Sequence, residues 1–212
     1  MSHRARSGLF VAEGTSDQPL AELIESLFCE RGVELSLSQP PFELLSGVAK
    51  DVRSRVQAGL DLMHDPVDLL VVHRDADNAG HTARLNEIRG AVGELSGGAA
   101  LVPIIPVRMT EAWLLLDEAA IRKVAENPTG RARLGLPKIH EVESVADPKA
   151  LLRDCILAAA EVTGRRRDRV RARFNEHRRQ LLWMLDPTGP IRRLSSWQRL
   201  VNDVDLAVKD WR

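Results

Sequence analysis

The chain has 212 residues, with 30 Lys and Arg against 30 Asp and Glu and 44% hydrophobic residues. That length suits one α/β domain with an appendage, or two small domains, and the composition supports a packed core without staples. No apolar run approaches the roughly 20 residues of a membrane span. The apolar stretch Leu9 to Ala12, behind the short basic start Met1 to Gly8, is too brief for a signal-peptide core. These features predict a cytoplasmic protein with no membrane partner. Cys29 and Cys155 sit in apolar, helix-like contexts, which predicts buried free thiols rather than a disulfide or a metal site. The formal net charge of zero hides an asymmetry. Residues 1–100 hold nine Lys and Arg against fifteen Asp and Glu, and residues 101–212 hold twenty-one against fifteen. An acidic half suits a cation and a basic half suits phosphates.

Gly8 to Glu13 reads as a short buried strand, and Gly14 to Pro19 as a turn. Ser16 or Asp17 is placed to cap the next helix, with Pro19 harmless in its first turn. That helix carries Leu20, Leu23, Ile24, Leu27 and Phe28 on one stripe as far as about Arg31, and Gly32 suits its end. Val33 to Leu37 is a second strand. A helix from about Gly47 to Met63 places Val48, Val52, Val56, Leu60 and Met63 inside. Val67 to Val72 is nearly continuously apolar, as a central parallel strand is. A helix over about Thr82 to Leu95 precedes the strand Ala100 to Val107, whose Pro103 and Pro106 point to a sheet edge. Thr110 to Asp117 begins a helix. The alternation of strand and helix predicts an α/β fold with a parallel sheet covered by helices over residues 1–120. Residues 121–212 read as a mostly helical region packed on it.

Three acids follow strands. Glu13 follows the first, and Asp75 and Asp77 follow the third. In a parallel sheet the strand ends open on one edge, where ligands bind. Asp75 and Asp77, two apart in an extended segment, point the same way. Mg²⁺ takes a few carboxylate oxygens and keeps several waters. Clustered carboxylates without a cation repel and tend to hold their protons. The alternative is that Asp-x-Asp is only a turn or a helix cap, and that Gly14 only permits a tight turn.

Val11-Ala-Glu-Gly-Thr-Ser-Asp17 followed by Leu69-Leu-Val-Val-His-Arg-Asp-Ala-Asp77 resembles the TOPRIM domain, the catalytic α/β module of topoisomerases, primases, RNA-maturing nucleases and OLD-type nucleases. Arg108 to Asp117 and Leu136 to Lys149 make the chain similar to bacterial TOPRIM-like, OLD-nuclease-like proteins of unknown function. The resemblance implies a TOPRIM-like sheet and metal-dependent phosphodiester hydrolysis of DNA or RNA with Mg²⁺ or Mn²⁺. It also implies an association with a partner ATPase in anti-phage defence. Glu13 matches the general acid/base and metal neighbour, and Asp75 and Asp77 match the metal ligands. Two-ion chemistry needs further acids. Glu111, at a helix start after a strand, is the first candidate for catalysis and metal binding; Asp17 is the second. Asp117 is a weaker one and otherwise caps the next helix. The chain has no tyrosine, which excludes a tyrosyl–DNA intermediate. It has no zinc-ribbon cysteines, which argues against a primase-like accessory module, and no P-loop, so an ATPase would be another chain.

Arg165 to Arg179 holds eight arginines against two acids. Arg165, Arg166 and Arg167 are candidate phosphate contacts, the alternative being a solvated helix face. Val170, Phe174 and Leu181 give the stretch an apolar side. Arg74 and Arg108, at strand ends, are further candidates for substrate phosphate, and His73 for proton transfer. Strand alternation sends His73 or Arg74 to the opposite face. The four tryptophans read as core or interface fillers. Two rival functions stay open: a non-catalytic subunit that binds nucleic acid or an ATPase, and a phosphohydrolase of small nucleotides.

Overall fold

Four of the apolar runs become parallel strands in the computed structural model, which describes residues 5–211. Met1 to Arg4 of the basic start and Arg212 lie outside the described residues. The strands are β1 (Arg6–Val11), β2 (Leu35–Ser38), β3 (Leu69–His73) and β4 (Ala100–Ile104), in the spatial order β2-β1-β3-β4. All five residues of β3 are buried, as suits an interior strand paired on both sides. Phe10 pairs with Val71, and Val71 with Val102. Pro103 lies on the edge strand β4, where a missing N–H costs no second ladder. The result is an α/β fold with a small parallel sheet covered by helices, followed by a mostly helical region.

The chain divides into two compact units. The first gathers the described residues of Met1–Arg74, Ala79–Ile105 and Gln198–Arg212; the second holds Asp75–Asn78 and Pro106–Trp197.

In the first unit, α1 (Pro19–Cys29) packs on β2, while α2 (Val52–Asp61) packs on β1 and on α3 (His81–Val92). Pro19 occupies the start of α1. The Gly32 and Val33 N–H groups donate to the Cys29 and Phe28 carbonyls, with Gly32 at φ +75°, and close the helix as its end signal predicts. Helix α2 touches the sheet through Gly59, where an added Cβ would lie 2.7 Å from Leu9 Cδ2. The carboxyl-terminal part of α9 (Ser195–Asp210) also belongs here. Its Asp205 pairs with Arg31, and Trp211 lies 5.4 Å from the Phe28 ring, with the Arg6 guanidinium over it.

The second unit is helical: α4 (Glu111–Leu114), α5 (Glu118–Val124), α6 (Pro148–Ala159), α7 (Gly164–Ala172) and α8 (Phe174–Trp183), with the first residues of α9. Trp113 and Trp197 meet edge to face at 5.5 Å, and Trp113 Nε1 donates to Ser196 Oγ. These two rings are core fillers as the sequence predicts, whereas Trp183 is 52% exposed, with the Arg179 guanidinium over its ring. Phe174 and Leu181 are buried and hold the basic run against the unit.

Several local expectations shift. The helix expected from Gly47 begins at Val52, because Gly47 takes φ +80° and the Asp51 carboxylate accepts the Ser54 N–H. The helix expected over Thr110 to Asp117 stops at Leu114, and Asp117 instead caps α5 by accepting the Ala120 N–H. Neither Ser16 nor Asp17 caps α1; Thr15–Asp17 form a 3-10 turn, and Asp17 is buried. Cys29 is exposed and Cys155 is buried, both as free thiols. The buried prediction fails for Cys29 because it falls on the same face of α1 as the exposed Glu22 and Ser26, off the stripe that ends at Phe28. Among the described residues, no helix is long and apolar enough to cross a membrane.

Candidate functional site

The strand order reverses between β1 and β3. The chain steps outward from β1 to β2, then returns past β1 to β3 and β4. In open parallel sheets, the carboxyl ends of the two strands at such a reversal flank the crevice where ligands bind. Both strands belong to the first unit. The residues that leave their ends are Ala12, Glu13 and Gly14 on one side and Arg74 on the other.

Arg74 joins the two ends. Its Nη1 lies 2.7 Å from Glu13 Oε1 and its Nη2 3.2 Å from Glu87 Oε1, while Glu87 also pairs with Arg84 at 2.7 Å. The Arg74 side chain is mostly buried, and its Nε has no hydrogen-bond partner among the described residues. Glu13 is 42% exposed in its side chain, so it is neutralised by Arg74 and still open to water. His73 takes a different environment, as strand alternation predicts for neighbours. It is buried, with Nδ1 3.8 Å from Asp17 Oδ2. From α2, Arg55 donates through Nη1 to the Ala12 carbonyl, with its guanidinium 5.6 Å from the Phe42 ring centre. Arg55 is 5% exposed, and its Nε has no hydrogen-bond partner among the described residues. It therefore fixes the backbone one residue before Glu13.

In the second unit, Asp75 Oδ1 accepts from the Thr110 N–H at 3.1 Å and from Thr110 Oγ1 at 3.2 Å. Asp77 is exposed at φ +45°, in a turn rather than an extended segment. The same-side argument for the two aspartates therefore does not apply, because it requires both residues to be extended. The Asp77 N–H donates to the Arg108 carbonyl, and Arg108, at φ +62°, gives Nη1 to Asn78 Oδ1 at 2.6 Å. Glu111 is 2% exposed and receives Arg178 Nε at 2.8 Å, with Arg178 itself buried. Arg165 and Arg166 are exposed, and Arg167 donates to the Leu157 carbonyl at 3.4 Å.

The structure thus brings Glu13 to Arg74, Asp75 to Thr110, Arg108 to Asn78, and Glu111 to Arg178. Among the described residues, no three His, Cys, Asp or Glu form a group that could hold a metal ion. The sequence reading singled out neither Arg55 nor Glu87, and it took Arg178 only as one arginine of the basic run. Arg55 had a readable signal. It stands three residues after Val52 and four before Gly59, on the buried face of α2, and a cation on an apolar stripe implies a built-in partner. Arg178 carries the same signal, between Phe174 and Leu181. Glu87 had none, since its helix shows only Ile88 and Val92 buried.

No family model matches the chain, and neither a curated protein nor a solved structure does.

Proposed function

We propose that the chain is a TOPRIM-type, Mg²⁺-dependent hydrolase of phosphodiester bonds in nucleic acid, acting in bacterial anti-phage defence beside a partner ATPase. One observation carries the reading: a half-exposed carboxylate, Glu13, and a mostly buried arginine, Arg74, meet where the order of a parallel sheet reverses. This is where such sheets take their ligands. The Glu-Gly after β1 and the Asp-x-Asp after β3 add the pattern of the resembling family. Asp75 and Asp77 offer hard oxygens of the kind Mg²⁺ prefers, and Asp77 faces solvent. Glu111 fits the ion less well as it stands, because taking it would strand the buried Arg178 charge.

Asp75 and Asp77 would hold a divalent ion, which would supply positive charge against the negative charge that grows on the phosphoryl group. The chain's own residues do the rest. Arg74, when it leaves Glu13, presents a guanidinium fork to a phosphate oxygen. Glu13, freed of that cation, accepts a proton from water as a general base. Arg55 holds the Ala12 carbonyl and so keeps Glu13 in position.

The assay presents labelled DNA, RNA and nucleotides in Mg²⁺ or Mn²⁺ to the wild type and to Glu13→Gln and Asp75→Asn. General-base removal costs about 10²–10⁴ in rate, so polymer cleavage should fall by at least about a hundredfold in the first variant and be lost in the second. Cleavage undiminished in both variants rejects the assignment. The pairing of Glu13 with Arg74 and of Glu111 with Arg178 favours a second reading, a non-catalytic binding subunit with internally neutralised acids. Nucleic-acid binding without turnover would establish it, and turnover of nucleotides alone would point to a small-nucleotide phosphohydrolase.

A further inference from the structure

The basic run on α7 faces a cavity that the hydrolytic reading leaves unused. The cavity measures about 370 Å³ and lies wholly within the helical unit. That falls in the range of small-molecule sites, about 300–1,000 Å³. Arg166, Arg169 and Arg173 line it at a spacing that sets them on one side of a helix. Arg173 is committed to Glu126 and Glu176, at 3.3 and 2.9 Å. Arg166 and Arg169 have no carboxylate partner among the described residues. The remaining wall is mostly apolar, with Val162 and Val170 among its residues.

His177 also lines the cavity. It is 2% exposed, and its Nδ1 is buried with no hydrogen-bond partner among the described residues. That nitrogen presents no surface to the cavity as the ring stands, and a buried polar atom without a partner is costly, so a turn of the ring that brings Nδ1 to a ligand removes the cost. Burial first, and the Arg173 charge second, push the His177 imidazole below its ordinary value. The neutral ring has one donor and one acceptor nitrogen.

Each feature narrows the ligand. Two unpaired guanidinium forks, one turn apart, match the charge and oxygen geometry of a phosphate better than a single carboxylate. A sugar alone would set hydroxyls against valines, whereas a planar base tolerates an apolar wall and offers an edge to His177. We infer that this cavity binds a nucleoside phosphate, with the phosphate at Arg166 and Arg169, the base against Val162 and Val170, and a hydrogen bond from the ligand to His177. A free mononucleotide and the phosphorylated end of a nucleic-acid strand share this chemistry. The inference stands on the cavity and does not need the hydrolytic site.

Calorimetric titration of the full chain tests it. The probes are AMP, CMP, adenosine, inorganic phosphate, and a short oligonucleotide with and without a 5′ phosphate. A mononucleotide or the phosphorylated oligonucleotide should bind at least about tenfold tighter than adenosine or inorganic phosphate. Arg166→Gln and Arg169→Gln should each weaken it by about tenfold or more, as loss of a charged hydrogen bond does. The ring ¹⁵N signals of His177 in the wild type should move on binding, a readout that needs no variant to fold. A response to the mononucleotide alone identifies a free nucleotide, and a response to the phosphorylated strand alone identifies a strand end. No binding at millimolar concentration, equal binding by inorganic phosphate, or unchanged affinity in both arginine variants overturns the inference. Nucleotide binding by a chain that cleaves nothing leaves it standing while the hydrolytic proposal falls.

Discussion

Glu111 and Arg178 show how one residue pair decides more than its sequence position suggests. Both are almost fully buried, with Arg178 Nε 2.8 Å from Glu111 Oε1. Removing one member of such a pair leaves an uncompensated charge and costs about 3–5 kcal/mol. Arg178→Met should therefore lower stability by that amount in urea unfolding, and the double change Glu111→Leu with Arg178→Met should restore most of the loss. A loss under about 1 kcal/mol in the single variant would place the pair outside the structural core. The two thiols separate just as cleanly. Burial, followed by Asp154 and Glu118, pushes the Cys155 thiol up to about 11, whereas Cys29 is exposed. A thiolate reagent near pH 8 should label one cysteine in the native chain and two in denaturant. Two labelled in native buffer would show that the α6 environment opens readily.

Among the elements, α2 links packing to the proposed site. It meets the sheet at Gly59, and the same helix carries Arg55 to the Ala12 carbonyl. An alanine at position 59 would gain up to about 1 kcal/mol in helix propensity. Its Cβ, however, would press on both methyls of Leu9, at 2.7 and 2.8 Å, and Leu9 is fully buried. Overpacking of this kind costs about 1–3 kcal/mol. Gly59→Ala should therefore lower the melting temperature, and any nuclease activity should fall with it as Arg55 shifts. A rise in melting temperature would mean that Leu9 yields without cost.

For the whole chain, acid is the condition that opposes folding. Burial comes first in holding the imidazoles of His81 and His177 below their ordinary value of 6.5. The unfolded chain then binds more protons as pH falls below 6.5, so stability present above that value declines toward the depressed folded values. A second group acts lower. Asp51 is held down by Ser54, Asp186 by Thr188, Glu161 by the Ala132 and Arg131 N–H groups, and Glu176 by Arg173. Burial works to raise Glu143, but hydrogen bonds from Ser196 and Ser195 prevail and lower it. The stability these carboxylates contribute is present above their ordinary values and is lost as pH drops through the folded ones. Asp203, raised by burial against the pull of Arg89 and Arg199, works in the opposite direction. Urea midpoints should fall in two stages between pH 8 and pH 3, and His81→Asn with His177→Asn should flatten the first. A midpoint constant from pH 8 to pH 5 would contradict this.

The strands, their parallel alternation with helices and the edge character of the proline-bearing strand were legible because each depends on local periodicity and backbone chemistry. The end of α1 at Gly32 and the capping role of Asp117 were legible for the same reason. The partners of the acids were not. Glu13 meets Arg74, Glu111 meets Arg178 and Asp75 meets Thr110 through folds of the chain that bring distant side chains together. Asp77 leaves the extended geometry for φ +45°, a choice made by a turn and not by its own spacing from Asp75. The sequence alone determined which segments are apolar, where they start and stop, and which acids follow strands, since these are properties of neighbours along the backbone. Only the tertiary structure decided which charges neutralise one another and which arginines border a cavity, because electrostatic partnership depends on distance in space.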